Sequence, residues 1–196
     1  MLTEFEPHLD FWLKGQKQGF AGKLPRIKLP DGSKMIALCE HPRLYVDRWY
    51  GSDLGGGQTI LYILSELWRE SNPLNIVGMP IARLGYSGQI VKRIDDEKMN
   101  EKMGAGKEQS EVVWNVLKSA LSQVSRERPF RGPAYYLYPN ELPRWVYRSQ
   151  ETGDFNYTVG HESIVYLGKK SNLVVFEGSY DFTLIKKNIE DKMPIL

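Results

Sequence analysis

The chain has 196 residues, 41% of them apolar and 26% charged, and its 26 basic and 24 acidic side chains leave a net charge of +2. That length and mix describe one globular domain able to bury a core without disulfides or metals, while the near balance of charge argues against a nucleic-acid binder, which carries a basic excess or stripe. The single Cys39 excludes an intrachain disulfide and suits a reducing compartment, and no run approaches the roughly 18 consecutive apolar residues of a membrane span.

Met1-Leu2-Thr3-Glu4 lacks the basic and apolar regions of a secretory signal, so a cytoplasmic location is expected. Thr3-Glu4-Phe5-Glu6 has the form of a capping box. Phe5, Leu9, Trp12 and Leu13 follow at helical spacing and predict an N-terminal helix ending near Gln18, with Pro7 tolerated in its first turn. Residues 22–34 hold Pro25, Pro30 and the turn pair Asp31-Gly32 and read as a surface excursion.

Strands are predicted at 34–39 and 44–50. Gly55-Gly56-Gly57 lacks the lysine of a phosphate-binding loop and runs into a strand at 58–64, so it reads as a bulge or tight hairpin. Residues 65–72 fit a helical turn or a hairpin arm equally. Residues 76–79 and 81–91 are strand-like but carry Pro80, Gly85 and Gly88, which predicts an edge or bulged strand.

Residues 93–109 are charged and hold two glycines, as a linker would. Val113, Val116, Leu117, Ala120, Leu121 and Val124 then repeat at helical spacing, giving an amphipathic helix over about 109–125 that should form the centre of the core. Arg126, Arg128 and Arg131 cluster just beyond it, in a solvated turn or an anion-binding group. Tyr135-Tyr136-Leu137-Tyr138 is either a stacking surface or a set of rings lying on the sheet edge. Strands at 144–148, 160–167 and 173–186, with a polar turn at 168–172, complete the chain before a charged tail from Asn188.

Gly160-His161-Glu162-Ser163-Ile164-Val165-Tyr166 echoes Gly56-Gly57-Gln58-Thr59-Ile60-Leu61-Tyr62. Each copy is flanked by aromatic, strand-prone runs. The fold expected is therefore α+β: a mostly antiparallel sheet of two similar β-units, about 20–92 and 129–187, packed as a single domain around the central helix, with the N-terminal helix added.

Several short segments bear a resemblance. Gln16-Lys17-Gln18-Gly19-Phe20-Ala21-Gly22, Tyr45-Val46-Asp47-Arg48-Trp49-Tyr50-Gly51, Pro129-Phe130-Arg131-Gly132-Pro133 and Gly160-His161-Glu162 follow, in order and spacing, the elements of an uncharacterised bacterial family known as a domain of unknown function. The likeness runs from about Phe11 to Ile185. Members of that family occur alone or behind helix-turn-helix DNA-binding domains, so the resemblance implies a regulatory setting and brings no catalytic residue. The family's first Gly-x-Glu stands here as Gly56-Gly57-Gln58, without the carboxylate, and its Trp-x-Met-Asn-Tyr-Tyr-Gly as Ala82-Arg83-Leu84-Gly85-Tyr86-Ser87-Gly88.

The function expected is a non-enzymatic module binding a small molecule or a protein. Tyr45, Trp49, Tyr86, Trp145 and Tyr147 would grip the ligand from a concave sheet, with Arg131 beside them. The alternative is a hydrolase or transferase with Glu162 and Glu177 as paired carboxylates, helped by His161 and Asp47. Against it stands a structural role for Glu162, paired with Arg148 or Arg131. A second alternative is nucleic-acid binding through the arginine trio and the tyrosines. His8, His41 and His161 lack metal-ligand spacing, so no metal or other cofactor is expected. Homodimerisation stays open.

Overall fold

The computed structural model describes residues 5–19, 22, 24–51, 55–65, 76, 78–91, 109–139, 144–168 and 171–185. Their elements run α1 (Glu6–Gln18), β1 (Ile27–Lys28), β2 (Lys34–Glu40), β3 (Arg43–Trp49), β4 (Gly57–Leu64), β5 (Gly78–Ile90), α2 (Gln109–Leu121), β6 (Tyr135–Leu137), β7 (Arg144–Gly153), β8 (Tyr157–Leu167) and β9 (Asn172–Leu184). The fold is α+β. The nine strands among the described residues make one antiparallel sheet in the order β1-β2-β3-β4-β5-β9-β8-β7-β6.

Consecutive strands pair with each other in two meanders, β1–β5 and β6–β9, and the last strand of each lies against the other. Their register sets Tyr86 opposite Tyr180. Both helices cover one face. On it α1 lays Phe5, Leu9, Trp12 and Leu13 over Tyr45, Leu61, Ala82, Leu84 and Phe182. The Trp12 ring meets Tyr45 and Phe182 edge-on at 5.7 Å, and its indole N–H donates to the Pro129 carbonyl at 2.9 Å. Of the stripe read for α2, Val113, Val116, Leu117, Ala120 and Leu121 are buried with Trp145, Tyr147, Ile164 and Phe176, while the helix ends at Leu121, short of 125, and Val124 packs in the α1 cluster. Each buried Val, Leu, Ile or Phe among them contributes about 1.5–3 kcal/mol.

The reverse face differs along the sheet. Behind β2–β4 lies a further apolar cluster of Leu29, Met35, Leu44, Val46 and Leu64. The first meander is thus covered on both sides there, which explains why Leu44-Tyr45-Val46 shows no alternation. Behind β7–β9 the side chains of Arg148, Gln150, His161, Glu177 and Ser179 are exposed.

Two expectations need correction. Of the two readings of 81–91, edge or bulged strand, the edge is corrected, since β5 lies between β4 and β9, and the bulge is present, since Ile81 is left over where the ladder passes from Leu61–Ala82 to Tyr62–Pro80. Pro80 is accommodated because the pairing with β9 begins only at Ala82, so the proline falls where β5 has a strand on one side, next to the bulge at Leu61/Tyr62. The N-terminal helix begins at Glu6, after Phe5, with no side-chain cap; Thr3, half of the expected capping box, lies outside the described residues. The excursion at 22–34 lies largely at the surface where it is described and holds the short β1, joined to β2 through Asp31-Gly32, where Gly32 takes the positive φ of +82° that glycine tolerates best. The tail from Asn188, the expected linker up to residue 108 and most of 65–72 lie outside the described residues. Among the described residues no helix is long and apolar enough to cross a membrane.

Candidate functional site

Residues two apart on a strand share a face. On the helix-facing side this brings a set of polar side chains to the middle of the sheet, centred on Tyr86 and Tyr180. Each of those rings lies across a glycine of the next strand outward. A β-carbon on Gly57 would stand 2.5 Å from the Tyr86 hydroxyl, and one on Gly160 would stand 2.1 Å from the Tyr180 ring. Arg131, from the turn after α2, sits over both rings, with Cζ 5.1 Å from the Tyr86 centroid and 5.9 Å from that of Tyr180.

Arg131 also forks onto Glu162 of β8. Its Nη2 donates to Oε1 at 2.6 Å and its Nε to Oε2 at 3.2 Å, while the Tyr147 hydroxyl donates to Oε2 at 2.9 Å. Both charged side chains are almost wholly buried. Burial works against the guanidinium charge, but the Glu162 carboxylate more than offsets it and holds the Arg131 pKa above its ordinary value. Gly178 makes room for the carboxylate, since a β-carbon there would stand 2.9 Å from Glu162 Cγ.

Asp47 of β3 is the second buried carboxyl, only 1% exposed. Its Oδ1 accepts the hydroxyls of Tyr86 at 2.7 Å and Thr59 at 3.2 Å. Burial pushes its pKa up to about 6, against the opposing pull of those two hydrogen bonds and of Arg131. Thr59 gives its proton to Asp47, and the buried Tyr45 hydroxyl nearby finds no partner of hydrogen-bond geometry among the described residues. Burial likewise raises the hydroxyls of Tyr45, Tyr86 and Tyr147. Across the centre, the Tyr180 hydroxyl meets Ser149 at 3.1 Å and donates to Glu151 at 2.9 Å, and Arg128 lies 3.6 Å from Glu151.

The reverse face of β7–β9 carries a different arrangement. The strand registers align Arg148, Ser163 and Glu177 in one row and set Gln150 opposite His161 beside it. These five line an open depression of about 430 Å³, completed by Glu162 and Gly178. None of the five makes a side-chain hydrogen bond or ion pair with another described residue. Several other surface charges are paired: Lys14 with Glu40, Arg48 with Asp31, and Arg126 with both Glu6 and Asp10.

Residues 71–181, more than half of the chain, match a domain of unknown function, DUF5680. The chain belongs to the DUF5680 family. The matched span of this DUF5680 member holds Tyr86, Arg131, Tyr147, Glu162 and the whole depression, whereas Tyr45, Asp47 and Thr59 precede it. No curated protein and no solved structure matches the chain.

Of the site residues read from the sequence, the fold of this chain brings Tyr45, Asp47, Tyr86, Arg131, Tyr147 and Glu162 into the central cluster. The rest lie elsewhere. Trp49 is buried and has the Arg26 guanidinium 5.7 Å from its ring, and Trp145 packs on Tyr166. The open aromatic grip expected on a concave sheet is therefore corrected: Tyr45, Trp49, Trp145 and Tyr147 are buried in the core, and only Tyr86 of the five is half-buried. Glu162 pairs in register with Gly178, and Glu177 pairs with Ser163. The two carboxylates thus point to opposite faces, with His161 on the same side as Glu177.

Glu162 does take the structural partner weighed for it, Arg131 and not Arg148. The arginine trio is likewise engaged with Glu6, Asp10, Glu151 and Glu162. Sequence reasoning missed Thr59, Ser149, Glu151 and Tyr180 in the cluster, and Arg148, Gln150 and Ser163 in the depression. The period-2 spacing of Arg148 with Gln150 and of His161 with Ser163 was the available signal. Among the described residues no group of three or more His, Cys, Asp or Glu side chains could hold a metal ion.

Proposed function

We propose that this DUF5680 member is a non-enzymatic binding module of the bacterial cytoplasm, regulatory in role, that takes a small polar molecule in the depression behind β7–β9. One observation carries the proposal: Arg148, Gln150, His161, Ser163 and Glu177 surround a single concavity of ligand size and leave their polar groups unused within the described fold.

The reading is strengthened if the sheet consists of two copies of one unit, a helix followed by a meander. Setting Gly57 beside Gly160 aligns Tyr45 with Tyr147, Tyr86 with Tyr180, and the bulge after Leu61 with that after Ile164. The motif comparison that puts Gly56 beside Gly160 is one residue away from this register. Each unit then has its own helix, α1 on the first and α2 on the second. A buried carboxyl and a buried hydroxyl exchange strands between units: Asp47 and Thr59 in one, Ser149 and Glu162 in the other.

Under this equivalence Arg148 and Ser163 stand where the first unit has Val46 and Ile60. The unit folds with apolar side chains at those places, so packing does not call for the polar set of the second unit. Catalysis by paired carboxylates is disfavoured by their opposite orientation and by the partners Glu162 already has. Nucleic-acid binding is disfavoured by the neutralised arginine trio.

A thermal-shift screen of the full chain against a library of small polar metabolites tests the proposal. A ligand at a hundred times its Kd adds about 2.7 kcal/mol, which raises the Tm of a chain this size by about 5–10 °C. Ser163→Trp, which fills the middle of the depression, should abolish the shift. No stabilising compound, or an undiminished shift in Ser163→Trp, would overturn it.

A further inference from the structure

Resting on that reading, we infer that the molecule bound behind β7–β9 is a zwitterion with a carboxylate at one end and an ammonium group at the other. The inference comes from the charge placed along one row of the sheet. Arg148 on β7, Ser163 on β8 and Glu177 on β9 are register partners, so a cation and an anion flank a central hydroxyl. Neighbouring strands are about 4.8 Å apart, which puts the backbones of Arg148 and Glu177 about 10 Å apart. The two side chains do not close that gap on each other.

A purely anionic ligand would gain from Arg148 and be repelled by Glu177. A purely cationic one would meet the reverse. A neutral polyol would cover both charges without supplying a counter-ion to either, and desolvating an unpaired charge is costly. A zwitterion lying along the row offers its carboxylate to the planar donor fork of Arg148 and its ammonium group to Glu177. Ser163 then has a hydroxyl to give or accept at the ligand's middle. Gln150 and His161, one step along the strands, face whatever group branches from it. The corresponding residues of the first meander, Val46 and Ile60 with Arg83, offer one charge and no counterpart, so the zwitterion is taken once per chain.

The test is a titration calorimetry series on the full chain with ω-amino acids of increasing length, from glycine to 6-aminohexanoate, together with their N-acetyl and C-amide forms. Affinity should peak at one length. Capping either end at that length should weaken binding about tenfold or more, the loss of one charge-assisted contact. Arg148→Gln should remove the penalty for amidating the carboxylate and leave the penalty for acetylation. Glu177→Gln should do the opposite. Both positions are exposed, so unchanged melting curves of the free variants will show that the fold is intact. Capped and uncapped compounds binding alike would overturn the zwitterion. If neutral or singly charged compounds bind and Ser163→Trp abolishes it, the binding module stands and the ligand class falls. No binding by any member of either series at millimolar concentration overturns the zwitterion, and an empty metabolite screen besides overturns the module itself.

Discussion

The buried carboxyl of Asp47 makes the protein's stability depend on pH in a direction opposite to that of a salt-bridged acid. Its pKa rises from 3.8 to about 6 on folding, chiefly through burial. Between those values the folded state holds a proton that the unfolded state has released, so stability falls as pH rises through this window. Above it the full penalty is present; below pH 4 it is gone. A shift of about two units corresponds to about 3 kcal/mol. Asp47→Asn removes the charge and keeps an oxygen where Oδ1 accepts both Tyr86 and Thr59. Relative to wild type, the variant should therefore gain about 2–3 kcal/mol between pH 4 and pH 8. Urea denaturation of both proteins at half-unit steps measures this, and the difference between them cancels every other titrating group that the substitution leaves alone. Parallel curves across the window would refute the placement of a protonatable carboxyl in this cluster.

Other outcomes follow from the same centre. Arg131→Met should cost about 3–5 kcal/mol because Glu162 is left as a buried charge, and adding Glu162→Leu should recover part of that loss; a double variant whose loss equals the sum of the two single losses in urea melts would refute the coupling. Gly160→Ala drives a β-carbon into the Tyr180 ring at 2.1 Å, and overpacking of this kind costs about 1–3 kcal/mol. Gly32→Ala meets nothing within 4 Å and is burdened only by its φ of +82°, about 1 kcal/mol; thermal melts should rank Gly160→Ala as the more damaging of the two. Trp12→Phe removes the donor to the Pro129 carbonyl and should lower stability by about 1–3 kcal/mol, read by chemical denaturation.

Much of the fold was legible along the chain. The apolar stripe of α2 announces itself because helical spacing is a local property, and the 160–167 and 173–186 runs with their polar turn form the β8–β9 hairpin as read. In the 81–91 segment Pro80, Gly85 and Gly88 signal an edge or a bulge alike, and β5 carries the bulge while lying inside the sheet. Whether a strand ends up central depends on a partner nearly a hundred residues away. For the site, aromatic residues next to glycines drew attention to the right positions, yet with the wrong exposure. Tyr45 and Tyr147 look alike in sequence whether they line a hollow or fill a core, and α1 and α2 decide the matter by covering that face.

Residue order by itself determined the class of element at most positions, the amphipathic helix, the hairpin at the end of the chain and membership of an uncharacterised family, because those depend on spacing between near neighbours. Only the tertiary structure decided that Glu162 faces inward to Arg131 while Glu177 faces outward to Arg148's row. A side chain's face on a strand flips with each single step of register. That register is set by the packing of distant strands, which no local pattern reports.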